Sequence, residues 1–77
     1  MFAAVPPKSD YRVILGAAIR EHRERLGLTQ ERLAEKAYLH PNYLGRVERG
    51  EKHVSLIALR RLAKALSVRV SELVADI

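Results

Sequence analysis

The segment Thr29–Gly50, TQERLAEKAYLHPNYLGRVERG, constrains this chain more than any other stretch. It reads as two short helices joined by a tight corner. Thr29 suits an N-cap, Glu31 sits well against the positive end of a helix dipole, and Leu33, Ala34 and Ala37 recur at helical spacing. Tyr38, Leu39 and His40 make the corner. Pro41 suits the first position of the second helix, where its missing N–H would have no partner in any case. Gly50 stops that helix. On a 3.6-residue wheel Leu44 and Val47 fall on one side, while Asn42, Gly45, Arg46 and Arg49 fall on the other. One face can bury. The other is polar, cationic and slim in the middle, as a helix must be to enter the major groove of DNA.

The flanking sequence supplies further helices. Helix one is predicted from Asp10 to Leu26, capped by Ser9 or Asp10, with Tyr11, Leu15, Ala18, Ile19, His22 and Leu26 as its apolar stripe. Gly27 ends it. Ser55 caps helix four, whose stripe is Leu56, Leu59, Leu62, Ala63 and Leu66. A short fifth helix from about Ser71 brings in Leu73 and Val74. The segments between show no strand pattern. The expected fold is all-α: a compact five-helix domain over residues 9–77, with the helix-turn-helix at about 29–49 and residues 1–8 as a flexible arm.

Composition agrees with that reading. Seventy-seven residues make one small domain in which most of the chain must join the core. The hydrophobic fraction of 48% suffices for a globular protein, and aromatics at 5% favour helices over sheets. The absence of Cys excludes disulfides and thiolate metal sites and fits a reducing cytoplasm. No apolar run approaches the roughly 20 residues of a membrane span, and MFAAVPP is a poor signal peptide because it lacks a basic start and a long apolar middle. A net charge of +5 and an isoelectric point near 10.1 suit a polyanionic partner. Charge alone does not separate DNA from RNA, or either from a merely soluble surface.

The blocks IREHRERLGLTQERLAEKA, YLGRVERG, SLIALRRLAKALSV and SEL stand in an order and at a spacing that resemble the lambda-repressor-like, or XRE/Cro-type, helix-turn-helix family. The resemblance spans roughly Leu15 to Leu73. It implies a sequence-specific transcriptional regulator, prokaryotic or phage, that binds palindromic operator DNA as a homodimer. The chain resembles the single-domain members of the family, such as Cro-like repressors and the controller proteins of restriction–modification systems, and the segment GEKHVSLIALRRLAKALSV points to the controllers. Carried over by position, the resemblance gives Asn42 and Arg46 the reading of base edges, with Pro41 and Tyr43 as neighbouring contacts. It gives phosphate contacts to Thr29, Gln30, Arg49, Lys52, His53 and Ser55, and it pairs Arg23 with Glu48 as a structural ion pair. The residue types suit these roles, since Arg can bond guanine bidentately and Asn can do the same with adenine. Gly45 offers a bare surface for close approach, at about 1 kcal/mol against Ala.

Three positions depart from the family pattern. Tyr38 stands where Gly is common, at a corner that tends towards left-handed backbone. His40 stands where Ser, Thr or Asp is usual, which leaves helix three weakly capped. His22 replaces a common Leu and is expected to be satisfied or half-exposed.

Other classes of function find little support. His22, His40 and His53 are too widely spaced for a metal site, and no Ser–His–acid set or phosphate-cradling loop is present, so an enzyme is not expected. Neither a cofactor nor a small-molecule ligand is implied. The basic back of helix four, Arg60, Arg61 and Lys64, reads as a solvated face rather than a membrane-surface helix. The expected partners are double-stranded DNA and a second copy of the chain in the cytoplasm, associated with the nucleoid. The second copy would dock through Val68, Val70, Val74 and Ile77, because one short helix cannot turn them all inward. The rival reading is an antitoxin or protein-interaction module on the same fold. An antitoxin is expected to carry a toxin-binding extension, and none follows Ile77 in this sequence.

Overall fold

In a computed structural model, which describes residues 10–77, five helices follow one another: α1 (Tyr11–Arg25), α2 (Gln30–Ala37), α3 (Pro41–Glu48), α4 (Leu56–Leu66) and α5 (Val70–Leu73). No strand occurs among the described residues. The expected arm at residues 1–8, and Ser9 as a cap, lie outside them.

Each of the first four helices begins where a side chain meets a free backbone N–H. Asp10 Oδ1 accepts from Arg12 N–H at 2.9 Å, Thr29 Oγ1 from Arg32 N–H at 3.0 Å, and Ser55 Oγ from Ala58 N–H at 3.1 Å. His40 also caps: its Nδ1 accepts from Asn42 N–H at 3.1 Å, so α3 is better capped than the sequence suggested. The ends are equally local. At the end of α1 the N–H groups of Gly27 and Leu28 return to the carbonyls of Glu24 and Arg23. Tyr38 ends α2 in the left-handed conformation, φ 57° and ψ 43°, and is 84% exposed. The sharp turn into α3 therefore rests on a non-glycine residue in a region that L-residues rarely adopt.

Ile19, Leu33, Leu44, Val47, Leu62 and Leu73 are fully buried and knit the five helices into one core. Burying each of the larger aliphatic side chains contributes about 1.5–3 kcal/mol. α2 packs on α4 and α1 on α3. Three residues assigned to apolar stripes instead face solvent: Tyr11, Leu26 and Leu56 are exposed, and Ala58 takes the inward position at the start of α4. Each of the three lies in or just beyond a terminal turn.

Two glycines set the distance between α1 and the end of α3. A Cβ on Gly16 would lie 2.3 Å from the Val47 carbonyl oxygen and 2.8 Å from that of Glu48. Gly50 has φ +76°, and a Cβ there would meet Val13 Cγ2 at 2.9 Å. Only hydrogen fits at either place.

Candidate nucleic-acid interface

The buried side of α3 anchors it. Leu44 and Val47 enter the core, and Glu48, whose side chain is 2% exposed, accepts from Arg23 Nε at 2.7 Å and Arg23 Nη2 at 3.0 Å. Arg23 also donates through Nη1 to the Leu28 carbonyl at 2.8 Å. Gln30 Nε2 donates to Glu48 Oε1 at 3.0 Å. One carboxylate thus ties α1, α2 and α3 together, and no buried side-chain polar atom among the described residues lacks a partner. The hydrogen bonds that Arg23 donates to Glu48 raise the Arg23 pKa above its ordinary value, against the opposing effect of burial.

The opposite side of α3 is open. Gln30, Pro41, Asn42, Gly45, Arg46 and Arg49 line a shallow recess of about 370 Å³. Gly45 forms its floor and is covered by neighbouring side chains rather than bare: a Cβ there would meet Arg49 Nη1 at 3.3 Å and Gln30 Oε1 at 3.6 Å. A second cleft, of about 520 Å³, holds Tyr43, Lys52, His53 and Ser55, together with Tyr38, His40 and Arg61. The residues read as DNA contacts therefore fall into two neighbouring groups on and beside α3. Thr29 lines neither recess, and the hydroxyl oxygens of Thr29 and Ser55 accept backbone N–H bonds as caps, which leaves each O–H free to donate.

Two features of this surface escape the sequence pattern. The Tyr11 hydroxyl bonds His53 Nδ1, with the rings 5.7 Å apart, and so joins the start of α1 to the loop after α3. Glu51 lies against both exposed arginines: Arg49 Nε donates to Glu51 Oε2 at 2.8 Å, and Arg46 Nε stands 3.7 Å from Glu51 Oε1. Periodicity could not reveal either contact. Glu51 follows the Gly50 stop, and Tyr11 meets a residue 42 positions away.

Of the residues read as a dimer patch, Val68, Val70 and Val74 are half-buried and pack against the core, whereas Ile77 is 57% exposed. Among the described residues there is no cluster able to hold a metal ion, and no helix is long and apolar enough to cross a membrane.

The helix-turn-helix family matches residues 19–73. Control protein C.SmaI of Serratia marcescens is 45% identical over 64 residues, covering 83% of this chain and 76% of that protein. Control protein C.BamHI of Bacillus amyloliquefaciens is 33% identical over 66 residues, covering 84% and 82%. Among solved structures, the restriction-modification controller protein C.AhdI from Aeromonas hydrophila superposes with a TM-score of 0.79 at 44% identity, covering 80% of this chain and 94% of that one. The match extends through α2, the corner and α3, and the chain belongs to the helix-turn-helix family of DNA-binding transcriptional regulators.

Proposed function

We propose that the protein binds a palindromic operator as a homodimer and controls a restriction–modification system. The observation that carries the DNA geometry is the recess in which Asn42 and Arg46 stand beside Gln30 and Arg49 on the open face of α3. In the major groove Arg46 donates to guanine O6 and N7, and Asn42 pairs with adenine N6 and N7. Pro41 and Tyr43 lie at the helix start against neighbouring bases. Thr29, Gln30, Arg49, Lys52, His53 and Ser55 hold the flanking phosphates and set the register. An apolar open face on α3 would instead suit a protein partner, and this face is polar.

One recognition helix covers one half-site, and two related by a two-fold axis stand about 34 Å apart, one turn of DNA. The controller role rests on the kinship with C.SmaI, C.BamHI and C.AhdI. The test is footprinting of the DNA upstream of the protein's own coding sequence. The expected result is a protected site with two-fold symmetric half-sites, lost with Arg46→Ala. Protection without symmetry, or protection that survives Arg46→Ala unchanged, would overturn the reading.

A further inference from the structure

We propose that Glu51 is a specificity-determining residue, which withholds Arg46 from non-operator DNA. The proposal rests on the groove-binding role of α3.

Glu51 is fixed in place by the backbone. Its N–H donates to the Arg46 carbonyl at 2.9 Å, and the positive φ of Gly50 turns the chain back over the end of α3. From there one carboxylate serves two cations. Oε2 accepts from Arg49 Nε at 2.8 Å, while Oε1 lies 3.4 Å from Arg49 Nη2 and 3.7 Å from Arg46 Nε. Arg46, Arg49 and Glu51 have side chains 51, 59 and 47% exposed, so DNA can reach all three. The arginines lower the Glu51 pKa, Arg49 most through its hydrogen bond, and the carboxylate stays ionised wherever the protein meets DNA.

The two cations differ in what DNA offers them. A phosphate presents Arg46 with the same kind of ligand that Glu51 already provides, so on random DNA the carboxylate competes with the backbone for that guanidinium and repels the phosphate as well. A guanine edge presents two acceptors in the fork geometry of arginine, which a single contact at 3.7 Å does not match. Glu51 therefore weakens the unspecific use of Arg46 more than its reading of guanine. It sets part of the ratio between operator and competing sites, the quantity that decides occupancy in a genome.

The test compares wild type, Glu51→Gln, Arg46→Ala and the double variant, each checked for native helicity, on operator duplex and on a random-sequence duplex of equal length. Glu51→Gln is expected to tighten random DNA about three- to tenfold at low salt, as for an exposed ion pair lost in each of two subunits, and the operator less than about twofold. The salt slope on random DNA steepens by about 0.9 per arginine released. The part of that gain that acts through Arg46 disappears in the double variant, which keeps only what the release of Arg49 and the lost charge supply. Equal tightening on both DNAs, or a gain undiminished by Arg46→Ala, would reduce Glu51 to a general surface charge. Loss on the operator alone would make it a direct acceptor for cytosine. Both results overturn the proposal, as does no change at all. Wild type that binds neither duplex would bring down the groove-binding reading itself, and this proposal with it.

Discussion

Arg23 and Glu48 meet across the interface of α1 and α3 through two nearly parallel hydrogen bonds, at 2.7 and 3.0 Å, with side chains 11 and 2% exposed. Glu48 also receives Gln30, so the pair fixes the orientation of α3 relative to α2. Removing one partner strands a charge in a nearly dry site. Arg23→Met or Glu48→Leu should each lower stability by about 3–5 kcal/mol, less if water enters. The double variant Arg23→Met/Glu48→Leu should recover much of that loss, since no stranded charge remains. Urea denaturation of the four proteins measures the coupling, and a value near zero would mean that the two charges act independently.

Gly16 and Gly45 should respond to alanine in opposite ways. At Gly16 the new methyl meets backbone carbonyls that cannot move without shifting α3, so Gly16→Ala should cost about 3 kcal/mol or more. At Gly45 it meets only the ends of the Arg49 and Gln30 side chains, which can give by a few tenths of an ångström. Gly45→Ala should leave stability unchanged or raise it by up to about 1 kcal/mol, the helix-propensity difference. Thermal unfolding of the two variants decides between these outcomes.

The Asp10 cap predicts an acid limb. The hydrogen bonds from Arg12 hold its carboxyl at about 2, below an ordinary value of 3.8. A carboxyl with a depressed folded pKa binds its proton more readily unfolded, so its contribution is complete above about pH 4 and is lost as pH falls towards about 2. Asp10→Asn keeps a capping oxygen but not the charge. The stability difference between wild type and this variant should vanish across that interval, as followed by denaturation at stepped pH.

Binding should weaken steeply with salt. If cations neutralise about 2–3 phosphates in each half-site, the log–log slope of a dimer's affinity is roughly −4 to −5. Lys52→Ala should weaken operator and random DNA alike, whereas Arg46→Ala should cost about 1–3 kcal/mol on the operator and little on random DNA. Titrations on both duplexes at several salt concentrations separate the two roles.

Self-association is best probed at Ile77. Val68, Val70 and Val74 touch the core, so charging them would disturb the fold as well as any dimer. Ile77 is exposed, and Ile77→Asp should shift sedimentation towards monomer and weaken operator binding without altering helicity. A strict monomer that binds the operator equally well with either residue would exclude this patch.

Much of the fold is legible in the sequence because its punctuation is local. Asp10, Thr29 and Ser55 cap the helices that follow them, and Gly27 and Gly50 mark the ends of others, each within a few residues of the backbone it serves. What failed depends on neighbours distant in sequence. Leu56 has the right period on its own helix but no opposing surface. Gly45 reads as bare on a wheel that does not include Gln30. Gly16 looks like an ordinary weak helix residue until the carbonyls of α3 arrive above it. The recess residues share a face of one helix and its neighbour, so a wheel finds most of them. Glu51 lies past the helix end, where periodicity carries no information.

The division of α3 has a consequence for how such a protein can diverge. Its buried half, Leu44, Val47 and Glu48, carries the attachment to the core, while Pro41, Asn42 and Arg46 lie exposed and touch little of it. The exposed residues can be exchanged as a cassette with those of another recognition helix, at little thermodynamic cost, to redirect the protein to a different target. Two such proteins in one cell could stay insulated from each other through a handful of side chains while sharing an otherwise identical chassis.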